Sequence, residues 1–240
     1  MEDGQSVKIR TLAIIQARMT SSRLPGKVLL PLPFPHGEPL IYAIIKKLRL
    51  CKAIDQIVVV TSSGPKQAPL VDYLISKKIA LIQGDEMDVI SRFITAINHY
   101  KPTTVVRITA DNPFIDIPQL YQVLKKHEEK SADYSSTNSL PYGMNIEVVS
   151  ADSLLDIFYN KNLTAEHREH VTSRVRNGQE YKVQIINTHE LDLSHIKVTV
   201  DTPQDYMRAA LLFQLQADKP MDQDLNFISN SYKEYPYIFE

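Results

Sequence analysis

A chain of 240 residues with 43% hydrophobic side chains is long enough to bury one substantial core. Its 27 Lys and Arg stand against 28 Asp and Glu, a net charge of −1, so the overall basic excess of a protein that grips nucleic acid through its phosphates is absent. A single cysteine, Cys51, excludes an intrachain disulfide and suits a reducing compartment.

The opening stretch, Met1 to Arg10, is polar and mixed in charge, without the apolar core of a secretory signal. No apolar run approaches the length that spans a bilayer. The expectation is a cytoplasmic protein with no nucleic-acid or membrane partner, organised as one domain over residues 1–240.

Residues 11–16 (TLAIIQ) are a short apolar run that predicts a buried strand. A polar, glycine-containing loop follows to Lys27. Pro39 stands at a first helical turn, and Leu40, Ile41, Ile44, Ile45 and Leu48 follow at helical spacing. Residues 57–61 (IVVVT) predict a second strand covered on both faces. Pro69 opens a helix with Leu70, Val71, Leu74 and Ile75 on one face, and residues 79–83 predict a third strand.

Asp85 and Asp88 suit the positive end of the next helix dipole, whose inner face is Val89, Ile90, Phe93, Ile94 and Ile97. Residues 104–109 (TVVRIT) predict a fourth strand, and Pro118 begins the helix after it. This alternation predicts an α/β fold: a largely parallel sheet with helices on both faces, binding ligands outside the carboxyl ends of its strands.

Beyond residue 130 the rhythm loosens. Strands are expected at 133–137 and 146–149 around a turn at 141–143. A helix is expected at 164–177, capped by Thr164 and stopped by Gly178, with His170 and Arg174 on one face. Residues 181–187 and 196–200 read as strands. Thr202 and Asp205 make a capping pattern for a helix carrying Tyr206, Ala210 and Phe213.

Four constellations could carry chemistry. Residues 16–27 (QARMTSSRLPGK) set three cations, three hydroxyls and a glycine directly after a buried strand, which suits a triphosphate; a solvated loop has the same composition. Asp111 stands at the tip of a parallel strand, where a carboxylate can hold Mg²⁺ against phosphates or simply cap a turn before Pro113. Asp201 occupies a similar strand end just before a helix, where it can serve as an N-terminal helical carboxylate beside Thr202 and Asp205, or converge with Asp111 on one metal. In the run Glu166-His167-Arg168-Glu169-His170 the histidines do not match zinc-protease spacing, and the segment suits an anionic substrate or a charged, solvated helix.

Together, the stretches IIQARMTSSRLPGKVLLPL, GDEMDVISRF, VVRITADNPFID, DYSSTN, YGMNIEVVS, EHREHVT and VTVDTPQDY resemble a known family. It is the cytidylyltransferase family that includes spore-coat polysaccharide biosynthesis protein F, related to the CMP-sialic acid and CMP-Kdo synthetases. The resemblance covers about residues 11–213 and leaves a C-terminal extension, 216–240, unmatched. It implies a Rossmann-like, nucleotide-diphospho-sugar transferase fold, a three-layer sandwich around a mixed, mainly parallel sheet. It also implies CTP as donor, an acidic sugar-like acceptor and Mg²⁺.

Carried over by residue, the resemblance places Gln16, Ala17, Arg18, Ser21, Ser22, Arg23 and Lys27 around the CTP phosphates. It brings Gly84, Asp85 and Asp88 toward the nucleotide, makes Asp111 and Asp201 the metal carboxylates, and turns Glu147, Glu169 and His170 to the acceptor. Arg18, Lys27, Asp111 and Asp201 would carry catalysis. Relatives commonly dimerise, so a homodimer is expected. Two features depart from the family pattern: Ala110 stands where a glycine is usual, and the loop 33–37 is longer and proline-rich. A metal-dependent glycosyltransferase of the same fold, or a non-catalytic nucleotide-binding protein, are the competing readings.

Overall fold

The protein is described by a computed structural model over residues 9–187, 192–217 and 224–239. Most of the polar N-terminal stretch and part of the C-terminal extension (218–223 and 240) lie outside the described residues.

In chain order the first half comprises β1 (Thr11–Gln16), β2 (Pro31–Leu32), β3 (Glu38–Pro39), α1 (Leu40–Leu48), β4 (Gln56–Ser62), α2 (Ala68–Ser76), β5 (Ala80–Gly84), α3 (Val89–Tyr100) and β6 (Thr104–Thr109). The second half comprises α4 (Ile117–Lys130), β7 (Tyr134–Asn138), β8 (Glu147–Ser150), α5 (Ala151–Asn160), α6 (Ala165–Glu169), α7 (Ser173–Asn177), β9 (Val183–Asn187), α8 (Pro203–Leu215) and α9 (Asp224–Glu234).

Seven strands form one sheet in the order β5-β4-β1-β6-β8-β7-β9. β5, β4, β1 and β6 run parallel, β8 is antiparallel to β6 and β7, and β9 is parallel to β7. β2 and β3 pair separately, joined through the proline-rich loop.

The unbroken apolar runs of the central strands have a simple cause. Side chains alternate across a strand, and both faces of this sheet are covered. Leu12 and Ile14 enter one core with Val58, Val60 and the α3 residues Val89, Ile90, Phe93 and Ile94. Ala13 and Ile15 enter the other with Val59, Val106, α1, α4 and α8. Full burial of each large aliphatic or aromatic side chain contributes roughly 1.5–3 kcal/mol. The mixed, mostly parallel sheet with helices on both sides is the architecture expected from the sequence.

Three details differ. The helix expected at 164–177 is two short ones, because the chain turns at Val171, which has φ +37° and is fully buried. His170 and Arg174 therefore do not share a helical face. Residues 196–200 are extended but not a sheet strand. They are stitched to loops, with Tyr142 N donating to Ile196 O, Val198 N to Tyr142 O and Val200 N to Asp111 O. On α2 the packed face is Leu70 and Leu74, while Val71 is half-buried and Ile75 is 63% exposed, because the i, i+4 row Leu70–Leu74 is the one turned to the core.

The C-terminal extension holds α9, whose Leu225, Phe227 and Ile228 join the core that contains α1 and α8.

Candidate active site

β1 and β6 run side by side with Gln16 opposite Thr109, so the loops after them meet at the carboxyl edge of the sheet. The loop after β1 is held in place. Gln67, itself buried, accepts from Met19 N at 2.8 Å, and Gly26 N donates to Met19 O at 2.9 Å. Gly26 sits at φ +74°, a conformation glycine adopts without strain, and this turn sends Lys27 inward.

Lys27 is 7% exposed, and its Nζ donates to Asp111 Oδ2 at 3.1 Å, Asp201 Oδ1 at 3.2 Å and Val200 O at 2.7 Å. Arg23 pairs with the same Asp201 oxygen at 3.1 Å. Asp111 is fixed through its backbone, whose carbonyl accepts from Val200 N at 2.8 Å. Asp201 is not the cap of α8. That role falls to Thr202, whose hydroxyl accepts from Asp205 N, while the Asp205 carboxylate accepts from Asp201 N and Thr202 N. The Asp201 side chain is thereby free for Lys27 and Arg23.

These groups line a cavity of about 560 Å³, within the usual range for small-molecule sites. Gln16, Ala17, Arg18, Ser21, Ser22, Arg23, Lys27, Asp111, Glu147, Glu169, His170 and Asp201 all border it. Gly84, Asp85 and Asp88 do not. Asp85 accepts from Met87 N and Asp88 N in a turn. Asp88 caps α3 through Ser91 N and pairs with Arg168. His167 closes the capping box of α6 with Thr164, which accounts for its place in the motif without a metal.

Glu147 borders the cavity with both oxygens engaged. Oε2 accepts from Arg107, and Oε1 accepts from Tyr134 at 2.7 Å and Thr172 at 3.3 Å. Burial pushes this carboxyl up, but the Arg107 guanidinium and the Tyr134 hydroxyl outweigh burial and hold it below the usual carboxylate range. Glu147 thus fixes Arg107, whose other terminal nitrogen donates to Gln16 at 3.3 Å. Glu169 faces Arg18 at 3.6 Å, and His170 is exposed at the rim.

Six cationic side chains, Arg18, Arg23, Lys27, Arg92, Arg107 and Arg176, border the cavity with four carboxylates. The balance favours an anionic ligand, against the nearly neutral chain as a whole. Sequence reasoning missed Arg92, Arg107 and Arg176. A signal existed for Arg107: a charge inside an otherwise apolar parallel strand two residues from its carboxyl end.

The two aspartates suit a divalent ion. Both reach one cation, Lys27 Nζ, and no group of three or more His, Cys, Asp or Glu able to hold a metal is found among the described residues. Two carboxylates with the remaining positions left to water and phosphate oxygens is the donor set Mg²⁺ accepts. No helix among the described residues is long and apolar enough to cross a membrane.

Comparison with known proteins gives a consistent set. A family model described as cytidylyltransferase matches residues 12–235, which takes in α9 and extends past the region seen from motifs alone. The spore coat polysaccharide biosynthesis protein SpsF of Bacillus subtilis is 34% identical over 215 residues, 87% of this chain and 88% of that protein. An 8-amino-3,8-dideoxy-manno-octulosonate cytidylyltransferase of Shewanella baltica is 25% identical over 71% of this chain and 69% of its own. Among solved structures, a cytidylyltransferase from Leptospira borgpetersenii superposes with a TM-score of 0.85 at 23% identity, over 96% of this chain and 97% of that one.

Proposed function

The chain belongs to the cytidylyltransferase family, and we propose that it transfers CMP from CTP to an acidic sugar, supplying an activated precursor for a polysaccharide. The observation that carries the site assignment is the convergence of Asp111 and Asp201, remote in sequence, on Lys27 at the carboxyl end of the parallel strands. The acidic acceptor is supported by the excess of cations around the cavity and by the octulosonate in the name of one relative.

In this reading the triphosphate lies along the loop after β1, where Arg18, Ser21, Ser22, Arg23 and Lys27 supply donors. An acceptor oxygen forms a bond to the α-phosphorus, the bond from that phosphorus to the bridging oxygen breaks, and pyrophosphate leaves. The proton of the acceptor hydroxyl passes to solvent. Arg18 and Arg23 balance the charge that develops on the leaving group, and the cavity walls align the reactants. Asp111 and Asp201 would hold Mg²⁺, which when bound supplies charge neutralisation at the α-phosphate. Arg107, fixed by Glu147, and His170 face the acceptor end. Burial of Leu225, Phe227 and Ile228 of α9 with the helices of the main core supports reading the chain as one functional unit.

The test is pyrophosphate release from each of the four ribonucleoside triphosphates with Mg²⁺ against a panel of acidic sugars. CTP-dependent release with one acceptor identifies the substrate. Asp111→Asn and Asp201→Asn are each expected to lower turnover at least about 100-fold in a folded protein. Full activity in either variant refutes the metal assignment.

A further inference from the structure

Arg92 is the least explained charge among the described residues. It lies in the second turn of α3, is 4% exposed and borders the cavity. Its Nε is buried with no hydrogen-bond partner, and no ion pair involves it among the described residues. Such an arrangement is costly, because a guanidinium stays charged and burial removes its water. Burial also pushes its pKa down; the charges that act on it most are those of Glu169 and Arg18, followed by Asp85 and Asp88.

The fold makes room for this residue. A Cβ on Gly84 would stand 2.8 Å from Arg92 Cγ, so the arginine stem runs through space that only a glycine leaves. Asp88 caps the helix that carries it. The segment after β5 therefore reaches the cavity through Arg92 and Val89, not through Gly84, Asp85 or Asp88 themselves.

We propose that Arg92, together with Arg18, seats one oxyanion of the bound substrates, either a phosphate oxygen of CTP or the acid group of the acceptor. Both sources share the chemistry of a planar guanidinium with an oxyanion. Arg18 comes from the triphosphate loop and faces Glu169, which comes from the acceptor side, so the seat lies where the two substrates adjoin. The proposal rests on reading this cavity as the CTP and acceptor site.

The experiment compares wild type, Arg92→Met and Arg92→Lys in thermal unfolding and in calorimetric titration. The probes are CTP, inorganic pyrophosphate, and 8-amino-3,8-dideoxy-manno-octulosonate added to the CTP-saturated protein. Methionine keeps an unbranched stem beside Gly84 and removes the unpaired charge. Without ligand, Arg92→Met is expected to unfold at the wild-type temperature or above it.

Loss of tenfold or more in affinity for CTP and pyrophosphate, with Arg92→Lys intermediate, assigns the seat to phosphate. Unchanged CTP binding with a tenfold loss for the octulosonate assigns it to the acid group. The idea is overturned if Arg92→Met binds every probe as wild type does. It is equally overturned if that variant unfolds several degrees lower without ligand, since the guanidinium would then be a structural part. A wild type that binds these anions but releases no pyrophosphate with any acidic sugar of the panel would refute the proposed function and leave the comparison of variants readable.

Discussion

Lys27 sets the electrostatics of the ligand-free cavity. Its ammonium keeps the Asp111 and Asp201 carboxylates from facing each other unneutralised. We expect Lys27→Met to lower stability by about 2 kcal/mol without metal, less than for a fully buried pair because Asp111 is partly exposed. Millimolar Mg²⁺ should then raise the variant's unfolding temperature more than the wild type's, since no lysine competes for the carboxylates. Equal shifts in both proteins would refute this.

A second residue acts far from the cavity. His127 is buried on α4 beside Ser135 of β7, and burial pushes its pKa down to about 4. The unfolded chain protonates it near 6.5, so between those values the unfolded state binds more protons. Stability from this group is complete above about pH 6.5 and is lost as pH falls toward 4, by on the order of 3 kcal/mol. Urea midpoints at pH 7 and pH 5 measure the loss, and His127→Gln should flatten that slope.

At this scale the sequence reveals part of the site. Asp111 ends a parallel strand, where a turn cap is as ordinary as a metal ligand, and no sheet strand immediately precedes Asp201, so the family-like order of the motifs is what singles out the pair. Arg92 is hidden, because an arginine between Ser91 and Phe93 looks like the polar edge of an amphipathic helix until Gly84 is seen beneath it.

At the scale of elements, β1, β4 and β6 were legible because both faces of each are buried, leaving runs that no exposed strand can carry. The break at Val171 was not. Nothing local ends a helix there, and a β-branched residue at φ +37° is held only because its side chain fills the core beside α3 and α5. α9 went unread in the unmatched extension, and its anchor lies elsewhere in the chain. Asp224 and Lys47 form a fully buried ion pair. The Asp224 carboxylate also accepts from Ile115 N at 2.6 Å and Gln216 Nε2 at 2.7 Å, and Lys47 lies 5.2 Å above the centre of the Phe114 ring.

Burial alone pushes the lysine pKa down and the aspartate pKa up, and their attraction opposes both. Removing one partner strands the other, so Asp224→Ala should cost about 3–5 kcal/mol in chemical denaturation. Lys47→Met combined with Asp224→Leu should recover most of that. A loss in the double variant as large as in the single one would show that the hydrogen bonds, not the charge pair, hold α9.

For the whole molecule, the cavity joins segments from across the chain. The loop after β1, the α3 turn, the ends of β6 and β8, the α6–α7 turn and the strap before α8 all border it. A ligand that engages them at once binds the folded state and nothing comparable in the unfolded chain. At a hundred times its Kd it adds about 2.7 kcal/mol, or roughly 5–10 °C for a chain of this size. We expect CTP with Mg²⁺ to give a shift of that order, and CTP without metal to give less, because the attraction between Mg²⁺ and both the phosphates and the Asp111 and Asp201 carboxylates would be missing. The other ribonucleoside triphosphates should give smaller shifts if the cavity reads the base. Four equal shifts would instead mean that binding energy comes from the phosphates alone. Selection of cytidine would then have to occur during transfer, where unequal pyrophosphate release from four equally bound triphosphates would show it.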